Sequence, residues 1–187
     1  MKRKLLFASV TFVFIILIGY MYYYKNYSNH GILENVINRN GYILTQMQEP
    51  IRLKLYIRPE WIPFENDHRL SLKEPLDNVH GTIITLDNVW NRGNDIYFSF
   101  HSRYNLCYKQ GEFLYNGVFH EDGTFSWNSK IDGIKLFDNN GQSIPVYQTG
   151  AGPEADFSFG IEPEDYDTIK DGFFVEYNDF ILYQYER

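Results

Sequence analysis

Cysteine is nearly absent from this chain, whose 187 residues include only Cys107. A single cysteine excludes an intramolecular disulfide, and with it the class of small secreted domains that disulfides hold together. A domain without disulfides is typical of the outer face of a Gram-positive membrane, or of a cell that rarely relies on them. Together with the heavy use of Asn, Ile, Lys and Tyr, this indicates a bacterial protein.

Motifs for metal, nucleotide or nucleophilic chemistry are also missing. The histidines form no H-x-H, H-x-x-H or H-E-x-x-H arrangement, so the sequence gives no support for a zinc site. It contains no Gly-x-Ser-x-Gly elbow and no glycine-rich phosphate loop. We therefore assign no catalytic, cofactor-binding or metal-binding residue and expect no cofactor. The histidines are His30, His68, His80, His101 and His120.

Long apolar runs are absent except near the N-terminus, where 20 residues from Leu5 to Tyr24 carry no charge. As a helix, such a run rises about 30 Å, which is the thickness of a bilayer core. Lys2, Arg3 and Lys4 precede the run and predict a cytoplasmic N-terminus. The tyrosines at its end suit the membrane–water interface and do not suit the small-residue site of a cleaved signal, which is the alternative. We predict a single-span signal anchor in residues 1–27.

Positive charge is scarce in the rest of the chain. The anchor segment holds four of the 17 Lys and Arg residues and none of the 24 Asp and Glu residues, so residues 28–187 carry 13 basic against 24 acidic side chains, a net of −11. Such a surface repels nucleic acid and attracts basic partners. We predict no nucleic-acid partner, and a protein or cell-envelope component as the possible partner.

Short strands separated by turn residues dominate residues 48–187. The segment "IRLKLYIR" alternates apolar and polar residues, which is typical of a half-buried strand. Hairpin turns are predicted at residues 91–94, 121–123 and 138–141, where Gly, Asn and Asp cluster between apolar runs. The pattern predicts an all-β domain, an antiparallel Ig-like β-sandwich, with residues 59–80 as an irregular connection. Residues 28–47 are predicted to be a juxtamembrane segment with a short helix.

Three stretches carry a resemblance to a known family. The runs "NVHGTIITLDNVWNRGNDIYFSFHS", "IDGIKLFDNNGQSIPV" and "DFSFGI" resemble the Ig-like extracytoplasmic domains of Bacillota membrane proteins. Those domains often form the outer part of anti-sigma-factor-type regulators. The resemblance covers about residues 79–185 and implies an extracytoplasmic β-sandwich without catalytic residues. Only four residues precede the apolar run, so we expect no inner sigma-binding domain.

One set of side chains suggests thiol chemistry. His101, Arg103 and Cys107 share parity in "HSRYNLC", so a continuous strand would place an imidazole, a guanidinium and a thiol on one side. These are the groups of a sortase-type transpeptidase, which forms a thioester through an activated cysteine. The motif around Cys107 differs from the sortase motif. The alternative is a structural, half-buried cysteine.

Two further segments offer candidate contacts. The stretch "EPEDYDTIKDG" is rich in oxygen ligands, but Ile169 and Lys170 occupy required positions of a calcium loop, which favours a solvated acidic loop. Trp61 and Phe64, in the Pro-rich connection, either form an exposed contact surface or close one end of the sandwich. The acidic residues are Glu162, Glu164, Asp165, Asp167 and Asp171.

Taken together, these patterns predict a cell-membrane protein with a single span, a cytoplasmic N-terminus and an extracytoplasmic domain. The expected function is a non-enzymatic binding or accessory module of unknown ligand. An envelope-acting enzyme, either a divergent thiol transpeptidase or a hydrolase, is the first alternative. A structural spacer is the second.

Overall fold

A computed structural model describes residues 2–128, 133–152 and 155–187, with side chains from residue 11 onward. The described chain is mostly strand, and its strand pairs are antiparallel, so the predicted all-β class is confirmed. The helices are α1 (Lys2–Tyr27), α2 (Asn29–Ile37) and the short α3 (Tyr166–Ile169). The strands are β1 (Ile43–Gln46), β2 (Leu53–Ile57), β3 (Arg69–Val79), β4 (Thr82–Asn91), β5 (Ile96–Tyr104), β6 (Gln110–Tyr115), β7 (Gly117–Phe119), β8 (Phe125–Trp127), β9 (Ile134–Phe137), β10 (Ser143–Ile144), β11 (Thr149–Gly152), β12 (Ala155–Ile161), β13 (Phe173–Tyr177) and β14 (Ile181–Glu186).

Two sheets form the layers of a sandwich. One has the strand order β11-β12-β5-β4-β3, and the other has the order β10-β9-β13-β2. Their inner faces meet through aromatic rings, because Phe98 contacts Phe173 edge-on at 5.3 Å and Phe157 stacks on Tyr177 at 3.9 Å between centroids. The alternation predicted for "IRLKLYIR" is observed, since alternate residues of β2 are buried in this core.

A third sheet, of order β1-β14-β6, supports a second and smaller core. Ile32 and Val36 of α2 pack with Phe113 and Tyr183 of this sheet. Helix α2 lies in the predicted juxtamembrane segment, and Ser28 caps it by accepting a hydrogen bond from the Gly31 N–H at 3.0 Å. The short helix expected there is therefore confirmed.

The predicted hairpin turns lie where the sequence indicated. Strands β4 and β5 are joined through residues 92–95, with Gly93 at a φ of 88°. Strands β7 and β8, and strands β9 and β10, are also paired neighbours joined by short turns. Glycine adopts a positive φ without strain, which explains why Gly93 occupies the turn between β4 and β5.

The prediction of an irregular connection over residues 59–80 is wrong in its second half, because β3 occupies Arg69–Val79. This strand lies at the edge of its sheet, and its pairing with β4 shifts between Ser71 and Glu74 and again between Pro75 and Asp77. Lys73 has a φ of 56°. An exposed, bulged edge strand tolerates proline and charge and lacks an alternating apolar pattern, so the usual signal is missing.

Helix α1 precedes the domain and is joined to α2 by a tight turn. From Phe12 to Tyr24 its large apolar side chains are exposed. Within the described part of the chain, no helix is both long enough and apolar enough to cross a membrane.

Candidate functional site

The predicted thiol set is not brought together on one strand face. Strand β5 ends at Tyr104, so His101 and Arg103 lie on the strand while Cys107 lies in the loop that follows it. The cysteine is exposed, and the expectation of a half-buried thiol is therefore wrong. The loop is held through its backbone: the Cys107 N–H donates to the Tyr185 hydroxyl at 2.9 Å, and that hydroxyl donates to the Cys107 carbonyl at 2.8 Å.

The acidic stretch at residues 162–171 forms a 3-10 turn (Pro163–Asp165) followed by α3. Asp167 pairs with Lys170 at 3.2 Å, and both side chains are mostly exposed. Among the described residues, no group of three or more His, Cys, Asp or Glu side chains is arranged to hold a metal ion. The geometry is that of a solvated acidic turn.

The two aromatic residues of the Pro-rich connection have different surroundings. Trp61 ends a 3-10 turn (Pro59–Trp61) and packs, partly buried, against the main core, with the Arg58 guanidinium 5.0 Å from its ring. Phe64 is 43% exposed and contacts Tyr166 edge-on at 5.8 Å. Trp61 therefore closes the sandwich, while Phe64 presents part of its ring to solvent.

A cleft of about 490 Å³ is the feature best suited to binding, and we call it the Trp127 cleft. Its walls come from Trp127 and Asn128 at the end of β8, from residues 146–151, and from Tyr177 with Asp179. In the described chain outside α1, Tyr147 (52%) and Trp127 (48%) are the two most exposed aromatic side chains. Both of them line this one cleft. Exposed aromatic rings in a concavity with polar neighbours are typical of a ligand site.

Backbone hydrogen bonds hold one aromatic wall of the Trp127 cleft in place. The Tyr147 N–H donates to the Gly160 carbonyl at 3.0 Å, and the Gly160 N–H donates to the Gln148 carbonyl at 2.9 Å. Residues 147 and 148 are therefore fixed to β12, although the Tyr147 ring is exposed.

The opposite wall is fixed in a similar way. Trp127 pairs with Gly117 across the β7–β8 hairpin, and the following Asn128 N–H donates to the Asn116 carbonyl at 2.9 Å. The Asn128 side-chain amide donates to the Asp179 carbonyl at 2.6 Å. Both rings thus stand on backbone that is ordered before any ligand arrives, which lowers the entropy cost of binding.

The charge of the Trp127 cleft is low. Its described lining contains no Lys, Arg or His, and Asp179, its one ionisable carboxyl group, is only 5% exposed. Burial, together with the Asp179 charge, raises the pKa of Tyr177 well above its ordinary range, so this hydroxyl stays neutral. The described lining can offer aromatic faces and neutral hydroxyl and amide groups.

A second structural feature concerns the attachment of α1. The Asn35 side-chain amide donates to the Lys25 carbonyl at 2.9 Å, and Tyr27 stacks on Tyr108 at 4.5 Å between centroids. The Arg187 guanidinium lies 4.5 Å from the Tyr108 ring. The end of α1 is therefore packed against the β domain and is not a free stalk.

Sequence reasoning singled out neither Trp127 nor Tyr147. The two residues are 20 positions apart, Trp127 at the end of β8 and Tyr147 in the connection between β10 and β11, and only the tertiary fold brings both to one cleft. The available signal was weak: Trp127 lies at the end of a short alternation in "TFSWNSK", and Tyr147 lies in "PVYQTG", which has none.

Comparisons with models of protein families, with curated proteins and with solved structures give no significant match to this chain.

Proposed function

We propose that this chain is a single-span membrane protein that holds an Ig-like β-sandwich outside the cell as a non-enzymatic binding module. The observation that carries the binding role is the Trp127 cleft, where two exposed aromatic rings stand on fixed backbone. An envelope component or an envelope protein is the expected ligand.

Membrane attachment is supported by the surface of α1. The seven consecutive residues from Phe12 to Ile18 are apolar, and each is 51–64% exposed. Seven successive residues of a helix cover all directions around its axis, so packing on one side would leave apolar surface in water. A helix that is apolar all round is buried in a protein core or spans a membrane. No helix of the described residues by itself has the length and apolarity of a span, so the proposal relies on the sequence, in which the uncharged run from Leu5 to Tyr24 would rise about 30 Å, the thickness of a bilayer core.

Attachment is tested by adding charge to this helix. A lysine near the centre of a membrane helix costs about 2.5–3.5 kcal/mol, so the double variant Ile15→Lys/Ile18→Lys is expected to leave the carbonate-washed membrane fraction. The matched control is Ile43→Lys, because Ile43 is as exposed as Ile18 (63% and 64%) but lies on β1. Full retention of the double variant in the membrane would contradict the anchor.

Binding is tested with the full chain in detergent micelles and purified Gram-positive cell-wall sacculi. The wild type is expected to sediment with the sacculi, and Trp127→Ala is expected to lower the bound fraction. Phe64→Ala is the control, since Phe64 is an exposed aromatic residue outside the cleft. Absence of sedimentation, or an equal loss in the control, would contradict the proposed function.

The thiol-enzyme alternative makes a distinct prediction. An enzyme of that kind requires Cys107 as its nucleophile, whereas a binding module does not. Cys107→Ser retains the two backbone hydrogen bonds to Tyr185, so we expect unchanged folding and unchanged sedimentation with sacculi. Rapid alkylation of Cys107 by iodoacetamide near neutral pH would favour the enzyme instead.

A further inference from the structure

We infer that the Trp127 cleft binds a neutral saccharide chain by stacking sugar rings on Trp127 and Tyr147. This inference rests on the proposed function, because it names the ligand class of the same site. It depends on three properties of the described lining: its size, its aromatic faces and its charge.

The size of the cleft suits a short stretch of a chain-like ligand. Its volume of about 490 Å³ lies in the usual range for ligand pockets, about 300–1,000 Å³. Residues 146–151, which run from the β10–β11 connection into β11, form one side, and the end of β8 forms another, so two segments distant in sequence bound the cleft. Both exposed aromatic rings line this cleft, so one ligand in it is expected to meet both of them.

The aromatic faces match the chemistry of a sugar ring. A pyranose presents an apolar C–H face and a rim of hydroxyl groups, so it can stack on an aromatic face while its rim forms hydrogen bonds. Trp127 and Tyr147 supply exposed faces, and the rim of the cleft contains amide and hydroxyl side chains. The exposed polar residues concerned are Gln148 and Thr149, and the half-buried Asn128 lies beside them with its amide N–H donated to the Asp179 carbonyl.

The charge of the cleft discriminates between ligand classes. No cationic side chain occurs in its described lining, and the neighbouring Arg92, which reaches Gln148, is already paired with the buried Asp95. The cleft therefore offers no unpaired cation among its described residues to a phosphate-bearing or carboxylate-bearing ligand. A basic peptide would need an accessible carboxylate, but Asp179 is 5% exposed. An uncharged ligand with hydroxyl groups avoids both difficulties, because it brings no charge that must be desolvated.

The test uses the full chain in detergent micelles with three probes: the neutral hexamer of N-acetylglucosamine, the cationic hexamer of glucosamine, and octalysine. Binding is followed by tryptophan fluorescence and by titration calorimetry. We expect saturable binding of the neutral hexamer alone. Loss of one stacking face should weaken it about tenfold in Trp127→Ala and in Tyr147→Ala. Tyr147→Phe, which keeps the ring, and Phe64→Ala should change the affinity less than twofold.

The other outcomes of these measurements would overturn the saccharide inference alone or the proposed function as well. Tighter binding of the glucosamine hexamer or octalysine, lost in Trp127→Ala, would overturn the inference in favour of a cationic ligand. Trp127-dependent sedimentation with sacculi but no binding of the neutral hexamer would overturn the inference and leave the proposed function intact. No Trp127-dependent binding to either sacculi or hexamer would overturn both. Circular dichroism of each variant shows whether it is folded, and Tyr147→Phe provides the ring-retaining comparison.

Discussion

Single hydroxyl groups of buried tyrosines secure the loops of the smaller core. The Tyr183 hydroxyl donates to the Gly117 carbonyl at 3.0 Å, and the Tyr42 hydroxyl donates to the Tyr108 carbonyl at 2.7 Å. Tyr185 does more, because its hydroxyl bonds both the N–H and the carbonyl of Cys107. At each of these positions the tyrosine ring is buried in the core. Its hydroxyl group provides a hydrogen-bond partner for a backbone group that lies outside the three-stranded sheet.

Tyr185→Phe tests this role. The substitution keeps the ring but removes the hydrogen-bond partner of two backbone groups, so the free energy of unfolding should fall by about 1–3 kcal/mol. Urea unfolding of the full chain in detergent, followed by tryptophan fluorescence, measures the change. The control is Tyr147→Phe, whose ring is 52% exposed and whose loss of a hydroxyl should cost less than about 0.5 kcal/mol. Equal stabilities of the two variants would contradict the role assigned to Tyr185.

At the scale of elements, the turn between β4 and β5 is stabilised by an ion pair whose carboxylate is buried. Asp95 is fully buried and accepts from Arg92 Nε at 2.7 Å and from Arg92 Nη2. The Arg92 guanidinium also lies 4.1 Å from the Tyr97 ring. Gly160 is required opposite this pair, since a Cβ there would lie 2.2 Å from Asp95 Oδ2. The pair thus lies directly beside Gly160 of β12, the residue whose carbonyl accepts the hydrogen bond from the Tyr147 N–H.

Arg92→Met tests the ion pair. It leaves a carboxylate buried without its cation, and breaking a buried pair in this way costs about 3–5 kcal/mol of unfolding free energy. The control is Lys170→Met, which removes a pair that is 57% and 96% exposed and that should contribute less than about 1 kcal/mol. The double variant Arg92→Met/Asp95→Leu removes both charges and is expected to recover part of the loss. A double variant less stable than Arg92→Met would show that the carboxylate is not the cause.

The elements also show what could be predicted from sequence. Turns such as the one at Gly93 have a local cause, positive φ at a glycine, and local causes are visible in local sequence. The path of the chain after Tyr177 has no such local cause. The alternation is lost at Asn178, where the chain passes from the four-stranded sheet to the three-stranded one and joins β14 at Ile181. Which sheet a strand joins depends on partners distant in sequence, and so does the meeting of Trp127 with Tyr147 in one cleft.

At the scale of the whole molecule, the packed end of α1 has a consequence for the domain. Because Tyr27 stacks on Tyr108 and Asn35 binds the Lys25 carbonyl, the helix and the β domain share one continuous set of contacts. In the proposed membrane orientation, the domain would stand at a fixed position above the bilayer instead of swinging on a linker. The Trp127 cleft would then be presented in a constant direction.

The stability of the whole molecule should fall in alkali, because both cores contain buried tyrosines. Burial raises the pKa of Tyr177 and Tyr183 above the ordinary value and raises that of Tyr185 to about 12. These groups stay protonated in the folded state, whereas in the unfolded chain they ionise near pH 10. Below about pH 10 both states keep these protons, so they cause no pH dependence there. Above it the unfolded state loses protons first, so stability decreases as the pH rises from about 10 towards 12.

Absorbance of tyrosinate at 295 nm, recorded with far-UV circular dichroism between pH 8 and 13, checks this expectation. The last part of the tyrosinate signal should appear together with the loss of β-structure, because the buried hydroxyls ionise only when the cores open. Tyr185→Phe should reduce that late signal, whereas Tyr147→Phe should not, since Tyr147 is exposed. Complete ionisation of the tyrosines while the β signal persists would mean that solvent reaches these hydroxyls in the folded state, and the two cores would then be looser than their packing indicates.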